Sequence, residues 1–98
     1  MDQPETLYAT TPDGLNIAYQ VIGDGPFDIV LVAHFTAIDA MWEHPEIVAF
    51  LRRLAQIGRL IVLDCRGIGV SDPVPLGALP TPEAWADDIT VVVIRHLG

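Results

Sequence analysis

The sequence predicts an α/β fold in one domain over residues 1–98: an N-terminal β-hairpin, a strand–helix–strand crossover with parallel strands, and a C-terminal helix. Three features predict it. Ile29-Val30-Leu31-Val32 and Leu60-Ile61-Val62-Leu63 are apolar without alternation, as strands covered on both faces are. A segment with helical spacing of apolar residues lies between them. Ahead of both, Thr11-Pro12-Asp13-Gly14 is a turn sequence between two short strand-like stretches.

Leu7–Thr10 and Leu15–Ile22 are the strands of the hairpin. Proline second, aspartate third and glycine last suit a type I turn ending in a left-handed glycine. Leu15, Ile17, Tyr19 and Val21 then share one face. Gly23-Asp24-Gly25-Pro26 turns the chain into a third strand, Phe27–Ala33, whose apolar run places it in the interior of a parallel sheet. His34–Trp42 is the loop at its carboxyl end. His44 reads as an N-cap and Pro45 as a first helical residue; Ile47, Phe50, Leu51, Leu54 and Ile57 form the buried face of a helix over Glu46–Ile57. Gly58 reads as a left-handed stop. Leu60–Asp64 completes a crossover expected to be right-handed. Asp72–Pro82 is a proline-rich loop. Thr81-Pro82-Glu83 then opens the last helix with an N-cap, a proline in the first turn and an acid at the positive end of the dipole. Trp85, Ile89, Val92, Val93 and Leu97 are its buried stripe, with His96 in its last turn. The β-branched cluster Ile89–Ile94 also suits a strand, but the cap and the spacing favour a helix.

Composition narrows the function classes. The net charge is −8, with five arginines and no lysine, which disfavours nucleic acid and anionic membranes as partners. No apolar run approaches the roughly 20 residues of a membrane span. The start, Met1-Asp2-Gln3-Pro4-Glu5, is unlike a secretory signal. One cysteine, Cys65, forms no internal disulfide and reads as a small packing residue. A cytoplasmic location is the expectation.

Candidate chemistry clusters in the loops after the two parallel strands, where open α/β sheets bind ligands. Asp64-Cys65-Arg66-Gly67-Ile68-Gly69-Val70-Ser71-Asp72 breaks a buried strand with two glycines, and Arg66 is expected to tie the loop down through its flanking acids Asp64 and Asp72. Gly67-x-Gly69 lacks the third glycine of a dinucleotide fingerprint, and Asp72-Pro73 stands where a helix would open, so no cofactor is expected. His34, Asp39 and His44 match no zinc spacing, so no metal is expected either.

Asp-x-Arg-Gly-x-Gly-x-Ser, here Asp64, Arg66, Gly67, Gly69 and Ser71, resembles the segment after the fourth strand of α/β-hydrolases. The order of elements resembles the N-terminal part of the same family over nearly the whole chain. The resemblance implies a truncated α/β-hydrolase-like sheet, a single partial domain of an enzyme family that cleaves esters and similar acyl bonds. It implies that one backbone N–H of an oxyanion hole comes from Phe35 or Thr36, although Ala33-His34-Phe35 lacks the family's usual glycine. It implies that Ser71 is a loop hydrogen-bonder, since no Gly-x-Ser-x-Gly occurs and no catalytic residue of a Ser-acid-His triad is identified. The stretch around Phe35 and Trp42 is similar to hydrolase domains found ahead of nucleotide cyclase domains.

The family's sheet order implies that Leu60–Asp64 lies between the hairpin and Phe27–Ala33. The latter strand is then an open edge, through which self-association or a complementing chain is expected. The expected function is the N-terminal fragment of a hydrolase, not catalytic alone. The alternatives are a noncatalytic assembly or binding module that uses the edge, or a remnant without retained function.

Overall fold

The computed structural model describes residues 4–32, 37–66, 71–73 and 81–97. The chain opens with β1 (Leu7–Thr10) and β2 (Asn16–Ile22), paired antiparallel. In the turn between them the Gly14 N–H donates to the Thr11 carbonyl at 2.9 Å. Gly14 has φ +90°, which glycine adopts without a β-carbon clash. Thr11 closes the turn again: its hydroxyl oxygen accepts the Leu15 N–H at 3.0 Å and the hydroxyl donates to the Asp13 carboxylate. The hairpin is as the sequence predicts.

β3 (Asp28–Val32) and β4 (Arg59–Leu63) run parallel, connected through a 3₁₀ turn at Met41–Glu43 and α1 (Pro45–Ile57). The sheet order is β1-β2-β4-β3, which puts β4 between the hairpin and β3 as expected. The last element is α2 (Pro82–Leu97). Thr81 caps it by accepting the Ala84 N–H at 3.1 Å, and the β-branched cluster 89–94 is helical.

β4 is the centre of the molecule. Leu60, Ile61, Val62 and Leu63 are all fully buried, because successive side chains enter opposite faces and both faces are covered. Leu60 and Val62 join Ala18, Ile22, Ile38, Met41 and Leu51 on the α1 side. Ile61 and Leu63 join Ile17, Tyr19 and Val92 on the α2 side, with Leu15 and Val21 packed against them. Burying one such side chain stabilises the fold by about 1.5–3 kcal/mol, so this strand holds the two layers together.

Four expectations need correction. The apolar run of β3 suggests the sheet interior, yet among the described residues β3 pairs only with β4 and is the outer strand. Such a run does not report the number of neighbouring strands, and Val30 in it is exposed. In α1, Leu51 is buried and Ile47, Leu54 and Ala55 pack beside it, but Phe50 and Ile57 are exposed. At about 100° per residue these two stand on a flank of the helix rather than beneath it. Gly58 is extended, with φ −164° and ψ −178°, not left-handed. Its lack of a side chain serves a close approach: a β-carbon there would lie 2.5 Å from the Phe27 carbonyl oxygen. In α2, Trp85, Ile89 and Val92 form the inner stripe with Val91, and the stripe includes a fully buried acid, Asp88.

Two glycine substitutions separate the two physical reasons for glycine. Gly58→Ala is expected to cost about 1–3 kcal/mol through steric displacement of the Phe27 carbonyl. Gly14→Ala, with nothing within 4 Å of a β-carbon, is expected to cost about 1–2 kcal/mol from backbone conformation alone. Urea unfolding measures both. A Gly58→Ala chain with an unshifted midpoint would contradict the close-approach argument.

Candidate functional site

The carboxyl ends of β3 and β4 lie side by side because the strands are parallel and in register, Val32 opposite Leu63. Beyond those ends Ile38 and Asp64 meet. Asp64, fully buried just beyond β4, accepts the Ile38 N–H on its Oδ2 at 3.2 Å. Ile38 is itself fully buried, so the segment that follows β3 is pinned to the end of β4. Trp42 adds a second tie: its indole N–H donates at 2.8 Å to the buried Gln20 side chain, whose amide donates to the Thr6 hydroxyl at 3.0 Å. Phe35 and Thr36, the oxyanion candidates, lie outside the described residues, as do His34, Gly67 and Gly69.

On the far side of the β4 loop the chain returns to β2. The β2–β4 ladder reaches Tyr19 opposite Leu63, and the Asp64 N–H then donates to the Ala18 carbonyl at 3.0 Å. Ser71 continues the pairing with a side chain: its Oγ accepts the Ala18 N–H at 2.8 Å and donates to the Asp64 carbonyl. Asp72 follows, giving its N–H to the Asn16 carbonyl at 3.0 Å and accepting the Asn16 N–H at 2.9 Å. The Asn16 side-chain amide reaches the same carboxylate oxygen at 3.2 Å. The Ser71 hydroxyl is buried with both a donor and an acceptor engaged.

Arg66 organises the remaining side. The expected partners Asp64 and Asp72 are replaced by two others. Asp88 on α2 takes the Arg66 Nε–H at 2.9 Å, a terminal N–H at 2.7 Å and the backbone N–H at 2.8 Å. Asp13 in the hairpin turn takes the other terminal nitrogen at 2.9 Å. The pair with Asp88 is bidentate and almost wholly out of water, the geometry in which a guanidinium and a carboxylate bind most strongly. The Asp88 hydrogen bonds push the Arg66 pKa further up, so its charge is permanent. The Asp13 carboxyl is held below its ordinary range, first by the Thr11 hydroxyl and then by Arg66. Sequence reasoning missed Asp88 as the partner. The available signal was its position, three after Trp85 and four before Val92, on the stripe that faces the sheet.

Between these acids sits Cys65, buried, with its thiol pushed up to about 11 by burial and then by the negative charges of Asp88 and Asp64. A thiol kept protonated is inert as a nucleophile at neutral pH. His44 occupies the residue before α1 but makes no side-chain cap bond, and Asp39 is exposed. Among the described residues no group of three His, Cys, Asp or Glu side chains is placed to hold a metal, and no helix is long and apolar enough to cross a membrane. A groove of about 360 Å³ lies elsewhere, between β1 and α2, lined by Tyr8, Ala9, Thr10, Val91, Ile94 and Arg95.

No family model matches the chain, and no curated protein matches it. Solved structures do. A thermophilic esterase from Thermogutta terrifontis is 32% identical, with a TM-score of 0.69 over 96% of this chain and 32% of its own. An esterase from Exiguobacterium antarcticum is 26% identical, with a TM-score of 0.70 over 95% of this chain and 32% of its own. A hydrolase from Pseudomonas aeruginosa PA01 is 22% identical, with a TM-score of 0.75 over 98% of this chain and 34% of its own. The chain thus spans about a third of the length of the structures it matches. Its fold is that of the N-terminal portion of α/β-hydrolases.

Two measurements test the network. Arg66→Met leaves the Asp88 carboxylate buried without its counter-charge and is expected to cost about 3–5 kcal/mol in urea unfolding. Asp13→Asn, at an exposed carboxylate, is expected to cost far less; equal losses would show that the burial of Asp88 is not what matters. The thiol supplies a pH signature. Its folded pKa lies above the ordinary 9.0, so folding favours the neutral form, and the resulting stability is full below pH 9.0 and falls as pH rises towards about 11. Cys65→Ala is expected to flatten the alkaline decline over that window, read by thermal melts at successive pH values.

Proposed function

We propose that this chain supplies the opening third of an α/β-hydrolase that cleaves an ester or related acyl bond, and that it hydrolyses nothing unaided. The observation that carries this reading is the parallel β3–β4 pair with its Ser71-laced loop, in a chain that overlays an esterase of 32% identity over 96% of its residues. In such an enzyme a serine attacks the acyl carbon, a histidine takes the serine proton, a carboxylate orients the histidine, and backbone N–H groups hold the oxyanion. This chain's part is the last of these. The resemblance gives the donor N–H to Phe35 or Thr36, which lie in sequence between β3 and Ile38, the residue whose own N–H Asp64 holds. Ser71 has its hydroxyl committed to Ala18 and Asp64 and is assigned no part in the attack. The Gly-x-Ser-x-Gly elbow, the base and the acid are to come from further polypeptide, joined in cis or in trans. A cytoplasmic setting fits this proposal, and it does not extend to a cyclase-linked subset.

The test is hydrolysis of p-nitrophenyl acetate and butyrate. The 98-residue chain is expected to match the no-enzyme rate. A chimera joining it to the remainder of the matched Thermogutta esterase is expected to turn over, and to lose turnover when the elbow serine is replaced by alanine. A folded chimera with no activity, shown by circular dichroism to retain its helices, would count against the hydrolase reading. Turnover by the chain alone would overturn the claim that it needs a complement.

A further inference from the structure

The groove between β1 and α2 continues beyond its first 360 Å³. A second hollow of about 220 Å³, lined by Pro12, Asp87, Thr90, Val91 and Ile94, shares Val91 and Ile94 with it. Together they follow one face of α2, on which Asp87, Val91, Ile94 and Arg95 fall at helical spacing. Asp87 lies at the Pro12 end and Arg95 beside Tyr8–Thr10, so α2 runs antiparallel to β1. The groove thus has an acid at one end, a base at the other and apolar side chains between them. Neither Asp87 nor Arg95 forms an ion pair among the described residues.

The other wall offers main-chain groups in a defined phase. Thr11 donates its N–H to the Leu15 carbonyl at 2.8 Å, so Thr11, Ala9 and Leu7 address β2 along the ladder. The next strand has the matching phase. Ala18, opposite Tyr8, turns the other way: its N–H donates to Ser71 and its carbonyl accepts the Asp64 N–H. Tyr8 and Thr10 therefore present N–H and C=O outward, along the rim of the groove. The Ala9 side chain is buried on the α2 face, in the cluster that holds Val92.

We propose that this groove binds an extended peptide, added to β1 as an antiparallel strand, that reads base–x–apolar–x–acid from its amino end. The register dictates the order. The two x residues pair with Thr10 and Tyr8 and exchange about four main-chain hydrogen bonds with them. The other three point to the α2 face, because side chains alternate along a strand. The apolar one, opposite Ala9, meets Val91 and Ile94. The base, opposite Thr11, lies at the Asp87 end, and the acid, opposite Leu7, at the Arg95 end. The spacing fits: eight residues of helix from Asp87 to Arg95 span about 12 Å, and four of strand span about 13 Å. A peptide with one base and one acid is neutral, so the net −8 of the chain does not repel it. The groove lies at the β1 end of the sheet, with β2 and β4 between it and β3. The inference stands on this groove and not on the hydrolase reading.

The experiment titrates the isotopically labelled 98-residue chain with acetyl-Lys-Thr-Val-Thr-Glu amide and follows backbone amides by NMR. The Tyr8 and Thr10 amides are expected to shift and to gain protection from exchange. The Ala9 amide, already facing β2, is expected to gain none. The reversed peptide, acetyl-Glu-Thr-Val-Thr-Lys amide, is expected to bind about fivefold more weakly, because each end then meets a like charge. The double variant Asp87→Arg, Arg95→Asp is expected to invert that preference with unchanged circular dichroism, since both positions are exposed. The esterase chimera is expected to bind the first peptide as the chain does. Equal affinity for the two peptides, a preference that survives the charge swap, or protection elsewhere than at Tyr8 and Thr10 would each overturn the proposal. So would no binding at millimolar peptide, or a folded chimera that does not bind.

Discussion

A guanidinium shielded from water ties together three parts of the chain that are far apart in sequence. Arg66 leaves the end of the central strand, Asp88 comes from the last helix, and Asp13 comes from the first turn. The charges of Arg66 and Asp88 would each be costly to bury alone, and each is tolerated because the other is in place. The consequence is that α2 is seated on the sheet by a polar contact as well as by Val92, Ile89 and Trp85. An apolar stripe can slide by a turn along a sheet at modest cost. A bidentate carboxylate fixes the helix in one position.

Much of this architecture is legible in the residues. The Thr11–Gly14 turn, the Thr81 cap and the two unalternating runs each encode a local rule, and each rule holds because nothing distant overrides it. What was not legible depends on the third dimension. Arg66 has acids on both sides in sequence, Asp64 and Asp72, yet both turn to backbone N–H groups, of Ile38 and of Asn16. Asp88 sits beside Asp87 in a doublet that reads as a solvated face, and only the docking of α2 buries one and exposes the other. Gly58 follows a helix, where a left-handed residue is the ordinary expectation, but what requires it is a carbonyl from the strand alongside. Phe50 and Ile57 are apolar and fall near the helical stripe, yet they stand on its flank and are exposed.

The candidate site divides in the same way. The motif at Asp64–Ser71 and the loop after β3 were recognisable as the places where chemistry belongs, because both follow strands that run parallel. Their joining through Asp64 and Ile38 was not recognisable, since a backbone N–H carries no mark in the sequence. The residues that carry the resemblance are those that shape the strand ends and the loop after β4, and they fix a scaffold. Substrate preference belongs to side chains that project into the finished cavity.

Ser71 has an effect that reaches beyond its own hydrogen bonds. By meeting the Ala18 N–H and the Asp64 carbonyl with one oxygen, it performs the role of a missing stretch of β-strand. Ala18 is thereby held to the end of β4 by a side chain as well as by the Asp64 N–H. Loss of the Ser71 hydroxyl therefore acts on the hairpin as a strand break would, loosening β2 where it leaves the ladder.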